Sequence, residues 1–340
     1  MNTAVVILNW NGLNHLQTYL PSVVKFSNAQ IYIIDNGSSD NSVNWIKGNH
    51  PEIGIVQLDK NLGFAGGYNA GLKKIDAERY VLLNSDVRVS AGWIESVNKT
   101  MSEKGWSICS PIIFDDKKPE YYEYAGAAGG YIDKDGYMFC AGRLFDSFEK
   151  SNPTYNTDRE VFWASGAALF VDSSAWNEVD GLDGDLFAHM EEIDLCWRLK
   201  TRGHKVGVSG GSTVQHLGGG TLTASNPLKV YLNFRNNLLI LLKNQIGFPI
   251  VFITKRLLLD GIAALRFLLK GEFKFFISVA KAHFVFYLMI PKTLFKRGKE
   301  SVARNNSTPN FVGKYKKSII SQYFIQNHTK FSDLSENDFE

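Results

Sequence analysis

The sequence predicts an α/β fold with a mainly parallel central sheet flanked by helices, and two observations carry that prediction. Short apolar or β-branched runs alternate with stretches of helical spacing over about the first hundred residues, the pattern of successive βαβ units. Each run is followed by Asn, Asp and Gly, the residues a doubly wound sheet gathers where it binds a ligand. The expected strands are AVVIL (Ala4–Leu8), QIYII (Gln30–Ile34), GIVQL (Gly54–Leu58) and YVLL (Tyr80–Leu83). The polar sequels are NWNG, DNGSSDNS, DKNLG and NSD in that order. Leu13–Phe26, Asn41–Gly48 and Gly66–Ile75 carry the helical spacing between them.

From about Ile108 to Val161 the text is irregular and rich in Tyr, Gly and Asp, which reads as loops and an insertion. Regularity returns with strands in VFWASGAALFVD, a helix in LFAHMEEIDLCWRLKTRG, and two more strands in KVGVSG and STVQH. From Val230 long helical stretches follow, rich in Leu, Ile, Phe, Lys and Arg. Lys255, Arg256, Asp260, Arg266, Lys270, Lys274 and Lys281 interrupt residues 248 to 290, so no run of the roughly 18–20 apolar residues that span a bilayer is expected. Basic amphipathic helices lying in a membrane interface fit this text, and a helical subdomain packed on the core is the competing reading. After Ser301 the chain is polar and is expected to be partly ordered at most.

Composition narrows the partners. With 340 residues, 44% hydrophobic and 21% charged, the chain has the makeup of an ordered globular protein. Between Lys243 and Lys299 eleven Lys and Arg face only Asp260 and Glu272, a local net charge of +9 on a chain of net +3. One basic segment on a mildly acidic body argues for a local partner and against nucleic-acid binding. Cys109, Cys140 and Cys196 have no metal-ligand spacing and suggest a reducing compartment without a disulfide framework. The opening MNTAVVILNWNG lacks a basic stretch before a long apolar core, so no secretion signal is expected there.

Several residues could carry chemistry, each beside a plainer role. Asp35 at a strand end could bind a nucleobase or ribose, or cap a turn. KNLGFAGGYNAGL sets Asn61, Gly63, Gly66, Gly67, Asn69 and Gly71 between a strand and a helix, where backbone can approach a phosphate closely, yet it is neither a Walker loop nor a dinucleotide fingerprint. Asp86 is a hard oxygen ligand for Mg²⁺ or Mn²⁺, or a helix cap. HMEEIDLCWR offers Glu191, Glu192 and Asp194. Asp194 and Arg198 are spaced to pair on a helix, and the two glutamates point about 100° apart, so only one of them need face a pocket. His216 could ligate a metal or be structural.

Taken in order, these pieces resemble family 2 glycosyltransferases with the GT-A (nucleotide-diphospho-sugar transferase) fold, and within them the rhamnosyltransferase-like branch that builds bacterial surface polysaccharides. The matching stretches are VVILNWNG, IIDNGSSDNS, NLGFAGGYNAG, LLNSDV, ASGAALFV, GLDGDLFAHMEEIDLCWRL and VQHLGGGT, over about residues 3 to 245. The resemblance implies a catalytic domain over residues 1–245, with a nucleotide-sugar half (1–107) and an acceptor half (108–245), then basic amphipathic helices over 246–300 and a polar tail over 301–340. It implies an inverting transferase moving a sugar from a nucleoside-diphosphate sugar to a saccharide or lipid-linked saccharide, in the cytoplasm on the inner face of the cell membrane.

Residue by residue, the resemblance gives donor contacts to Asn9, Asp35, Asn61, Gly66, Asn84 and Asp86, and a divalent metal, Mg²⁺ or Mn²⁺, to Asp86 and His216. It makes Glu192 the catalytic base with Glu191 as second candidate, and assigns acceptor contacts to Trp163, Gly166 and Arg235. Asn84 stands where the family's metal motif has its first Asp, Glu192 where it has an Asp, and His189 where an aromatic residue is common. Two rivals stay in view: a sugar nucleotidyltransferase, against which the absence of Lys or Arg in NWNGLNHL counts, and a scaffold that binds nucleotide sugar without turnover.

Overall fold

The computed structural model describes residues 1–123, 126–218, 226–304 and 307–340. The main sheet runs β11-β13-β6-β12-β4-β1-β2-β3, with β5 also paired to β13. Its strands are β1 (Thr3–Asn9), β2 (Gln30–Asp35), β3 (Gly54–Gln57), β4 (Arg79–Leu83), β5 (Val87–Arg88), β6 (Ile108–Asp115), β11 (Arg159–Glu160), β12 (Ala168–Asp172) and β13 (Val206–His216). β3, β2, β1 and β4 are parallel, β12 inserts antiparallel between β4 and β6, and β6 pairs parallel with β13. The antiparallel β12 keeps β4, β6 and β13 pointing the same way. Asn9, Asp35, the residues after Leu83, and His216 therefore all emerge at one edge of the sheet.

Helices α1 (Leu13–Phe26), α2 (Ser42–Asn49), α3 (Gly63–Leu72), α4 (Trp93–Lys104), α5 (Ser173–Glu178) and α6 (Glu191–Lys200) cover the sheet. α3 packs closely because it is glycine-rich: a β-carbon at Gly71 would lie 2.2 Å from Ile34 Cδ1, and one at Gly67 2.7 Å from Leu8 Cδ1.

The expected loops from Ile108 are in part a buried strand. β6 is apolar and solvent-excluded over most of its length but is broken in the text by Ser110-Pro111. Proline has no N–H for the ladder, and opposite it β13 slips register between Ser209 and Thr213. That bulge is why KVGVSG and STVQH form one strand and not two. In VFWASGAALFVD only Ala168–Asp172 is a strand.

A second sheet, β10-β9-β8-β7-β14, is built from β7 (Gly130–Asp133), β8 (Met138–Cys140), β9 (Arg143–Leu144), β10 (Ser147–Phe148) and β14 (Lys314–Tyr315). The last strand comes from the tail, which is more ordered than its polarity suggested. It also forms α10 (Ile319–Phe324). Tyr315 and Ile319 are fully buried, and Phe331 and Phe339 pack against Tyr131. A few well-spaced aromatic residues suffice to dock a segment that is otherwise hydrophilic.

The C-terminal helices are α7 (Pro227–Asn244), α8 (Ile250–Leu269) and α9 (Phe273–Arg304). Asn226 caps α7, accepting from the Leu228 N–H at 2.9 Å with Pro227 in the first turn. α9 overturns one expectation: it is long and apolar enough to cross a bilayer by length and composition, with a mean hydropathy of 1.5 over a window only 22% buried. The two lysines at Lys274 and Lys281 do not outweigh the Phe, Val, Ile and Leu around them.

Candidate active site

At the carboxyl edge of β1 and β2, Asn9 and Asp35 are direct register partners. Asn9 Nδ2 donates to Asp35 Oδ1 (3.2 Å), Ser38 Oγ (3.2 Å) and Ser42 Oγ (2.9 Å). Asp35 Oδ2 accepts from the Ser38 N–H at 3.2 Å, so the turn-capping role foreseen for Asp35 is present beside any ligand role. Asn9 Oδ1 is buried without a partner. Gly12 is small out of necessity, since a β-carbon there would sit 2.5 Å from that oxygen.

The glycine-rich turn is tied to this edge by two asparagines. Asn36 Nδ2 donates to Asn61 Oδ1 and to the Gly63 carbonyl, both at 3.0 Å, while Asn36 Oδ1 accepts from the Leu62 N–H. Asn61 Oδ1 also accepts from the Gly63 N–H at 2.8 Å, and Gly63 has a φ of +75°, which suits glycine. Gly66 faces Leu62, 3.0 Å from where its β-carbon would stand.

After β4, Asn84 Nδ2 lies 3.3 Å and Asp86 Oδ1 3.1 Å from His216 Nε2. Glu123, absent from the sequence-based set, lies on the other side of the ring, its Oε1 3.5 Å from Nδ1. Burial opposes a charge on His216, but the two carboxylates outweigh it and lift the imidazole to about 10. Burial likewise works to raise Asp86, and the His216 cation holds it below its ordinary value. No group of three or more His, Cys, Asp or Glu placed to hold a metal occurs among the described residues.

The acidic helix closes the ring. Asp194 and Arg198 pair as the spacing predicts, at 2.8 Å, and Asp194 also meets Lys243 at 2.7 Å; all three are buried, so Asp194 is structural. Glu191 is buried, and its Oε2 has no partner. Desolvation, then the charge of Glu192, pushes it well above the ordinary carboxylate range. Glu192 is partly exposed, and desolvation raises it to about 7. A β-carbon on Gly166 would lie 3.5 Å from Glu192 Cβ and Cγ. The next residue, Ala167, accepts from the Asn84 N–H at 2.9 Å. One rim therefore runs from Asp86 and Asn84 through Ala167 and Gly166 to Glu192.

From the other direction the rim closes through Phe187. The Phe64 N–H donates to the Phe187 carbonyl at 2.9 Å, and Gly63 abuts the Phe187 ring. Asn69 adds a two-way bond to Leu182, donating to its carbonyl (2.7 Å) and accepting from its N–H (2.9 Å). The NLGFAGGYNAG stretch thus also seats the loop that carries the glutamates, a role that glycine spacing alone does not signal.

Two of the expected acceptor contacts have partners within the fold. Trp163 is buried, its indole N–H donating to the Tyr131 carbonyl at 3.0 Å and its ring filling the space a side chain at Gly130 would need. Arg235 is buried behind the loop before α6, with Nη2 on the carbonyls of Asp185 (3.1 Å) and Leu186 (3.0 Å). His189 is held neutral, lowered to about 4 by desolvation and then by Lys229.

A parallel sheet that gathers polar residues at one carboxyl edge, with a carboxylate-bearing helix brought across it, defines the GT-A class of nucleotide-diphospho-sugar transferases. The fold agrees with solved structures. S. aureus TarS 1–349 in complex with UDP-GlcNAc superposes at a TM-score of 0.54 with 13% identity, covering 89% of this chain and 87% of that one. The mannosyltransferase PcManGT from Pyrobaculum calidifontis, in complex with GDP-Man and Mn²⁺, gives 0.51 with 9% identity over 88% and 87%.

Residues 4–166 match the family model Glycosyl transferase family 2, and the chain is a glycosyltransferase. It is similar to the low-salt glycan biosynthesis hexosyltransferase Agl10 of Haloferax volcanii, 22% identical over 244 residues (69% of this chain, 74% of that protein). It is also similar to the N-acetylglucosaminyl-diphospho-decaprenol L-rhamnosyltransferase of Mycobacterium tuberculosis, 25% identical over 234 residues (58% and 70%).

Proposed function

We propose that this chain is an inverting transferase that moves a sugar from a nucleoside-diphosphate sugar to a hydroxyl of a lipid-linked saccharide in cell-surface polysaccharide synthesis. The observation that carries the reading is the rim joining Asp86 to Glu192 through Asn84, Ala167 and Gly166. It allows one substrate to touch both the diphosphate-side carboxylate and a base. The relatives' names support the acceptor class, one acting on a decaprenol-linked diphosphosugar.

Asn9, Asp35 and the Asn36–Asn61 turn bind the nucleoside side of the donor in this reading, with Asn9 Oδ1 as the open acceptor atom. Asp86 and His216, which meet as an ion pair at 3.1 Å, would hold a divalent cation only once the histidine gives up its proton, and nitrogen in the set would then favour Mn²⁺ over Mg²⁺. Such a cation, when bound, neutralises charge developing on the departing diphosphate. Glu192 takes the proton of the acceptor hydroxyl. The oxygen forms its bond to the anomeric carbon opposite the bond to diphosphate, which breaks with its electron pair, so configuration inverts in one displacement. A carboxylate near pH 7 is suited to this proton transfer. Burial pushes Glu191 well above the ordinary carboxylate range, which favours placing the negative charge on Glu192.

A lipid-linked acceptor supports, in this reading, a peripheral position on the inner face of the membrane. α8 exposes Val251, Leu258, Ile262, Leu265 and Leu269 at helical spacing, and α9 exposes Phe284, Leu288 and Phe295, amid the +9 segment. Apolar stripes flanked by Lys and Arg match an anionic lipid surface. The test is acceptor-dependent release of nucleoside diphosphate, with UDP-GlcNAc and GDP-mannose as first donors, Mn²⁺ present, and N-acetylglucosaminyl-diphospho-decaprenol as acceptor in anionic vesicles. Donor binding without acceptor-dependent release would instead identify a scaffold. Failure to sediment with anionic vesicles at low salt would remove the membrane assignment.

A further inference from the structure

The approach to α6 has an unusual backbone. Phe187, His189 and Met190 have φ of 65°, 69° and 73°, the left-handed region that L side chains avoid, and none is glycine. Such a segment keeps its shape only where its surroundings hold it. Nothing within residues 185–190 does this by regular structure beyond the short turn Gly184–Leu186.

The holding comes from α7. Arg235 Nη2 donates to the carbonyls of Asp185 (3.1 Å) and Leu186 (3.0 Å). Asn236 Nδ2 lies within bonding distance of the carbonyls of Leu186 (2.9 Å), Ala188 (2.9 Å) and His189 (2.7 Å). Arg235 also fixes the amide itself, its Nε and Nη2 donating to Asn236 Oδ1 at 2.9 and 2.6 Å, which turns the Asn236 N–H donors toward the loop. The one remaining carbonyl, that of Phe187, accepts from Phe64. Every backbone acceptor from residue 185 to 189 is thereby engaged, four of five by this single Arg-Asn pair. The asparagine is fully buried and the arginine nearly so, so neither presents itself to an acceptor sugar.

We infer that Arg235 and Asn236 are positioning residues that fix the loop 185–190 and so aim Glu192 at the acceptor hydroxyl. The inference rests on Glu192 being the base. A planar two-pronged guanidinium and an amide with two N–H donors are the side chains able to serve several divergent carbonyls at once, which an ammonium cannot do with the same geometry.

The test uses the full chain with Arg235→Lys, Asn236→Ala and, as a destabilised control on the same helix, Leu242→Ala. The first readout needs no substrate: amide hydrogen exchange of residues 185–192. Arg235→Lys and Asn236→Ala should speed exchange there at least tenfold, and Leu242→Ala should not. The second is turnover with the donor and acceptor named above. The two loop variants should lose ten- to a hundredfold in kcat, as expected for a misplaced group, with donor affinity by calorimetry within twofold. Unchanged exchange, or a loss confined to acceptor KM, overturns the positioning role. Full kcat in folded Arg235→Lys while Glu192→Gln is inactive overturns it and leaves the base assignment standing. An active Glu192→Gln removes the base assignment itself.

Discussion

Glu192 gives the sharpest test of mechanism because its ionisation should be visible in rate. Desolvation holds it at about 7, against an ordinary value of 4.5. If it removes the acceptor proton, kcat rises with pH up to about 7 and is flat above. Below that, rate falls about tenfold per pH unit, so pH 5.5 should run about thirtyfold under the plateau. A glutamate at its ordinary value would still be ionised at pH 5.5 and would show no limb there. Glu192→Gln should lose about 10²- to 10⁴-fold and the limb with it. Glu191→Gln should keep most activity, because burial already disfavours a charge on Glu191. The assay is acceptor-dependent nucleoside diphosphate release across pH 5 to 9, with donor binding checked at each end. A flat profile from 5 to 7, or an inactive Glu191→Gln beside an active Glu192→Gln, would refute the assignment.

Other perturbations have definite outcomes. Gly63→Ala forces a side chain to φ +75° and puts its β-carbon 2.6 Å from the Phe187 ring and 2.9 Å from the Phe187 carbonyl oxygen. It should cost about 1–2 kcal/mol in urea unfolding for the conformation alone, and lower kcat by displacing the loop before α6. Asp194→Ala leaves buried Arg198 without its carboxylate, while Lys243 keeps Asp183, and equilibrium unfolding should show a loss of about 3–5 kcal/mol; under about 1 kcal/mol would mean the pair is dispensable. Asp86→Ala should weaken Mn²⁺ binding by calorimetry at least tenfold, whatever its effect on turnover. Asp183 and Asp185 anchor α9 through Lys296. Burial works to raise Asp183, but Lys243 and Lys296 hold it below its ordinary value of 3.8. A depressed carboxylate contributes stability present above its unfolded value and lost as pH falls toward its folded one. Lys296→Met should therefore lower the thermal midpoint at pH 7 and shrink the wild type's further loss below pH 4.

The comparison of sequence and structure divides by range. Strands β1 to β4 and helix α1 were legible because alternation and apolar runs are local signals, and the polar residues closing each run marked the working edge. β6 was not legible, because Ser110-Pro111 interrupts its apolar text and the compensating bulge lies in β13, far along the chain. The tail hid its order for a similar reason: Tyr315 and Ile319 find their partners only in β7 and its surroundings. The hydropathy of α9 was discounted for its lysines, though its length and apolar content carry it.

At the site, the sequence by itself fixed the inventory: which carboxylates, amides, glycines and histidine could do chemistry, and at which strand ends. It could not rank Glu191 against Glu192, since neighbours on a helix differ only in direction. Tertiary structure separates the two, burying Glu191 and setting Glu192 against Gly166. It also buried Trp163 and Arg235 against backbone carbonyls and set Glu123 beside His216. The physical reason is that a residue's type sets what it can bond, whereas its exposure and partners depend on chain segments distant in sequence, which no local pattern records.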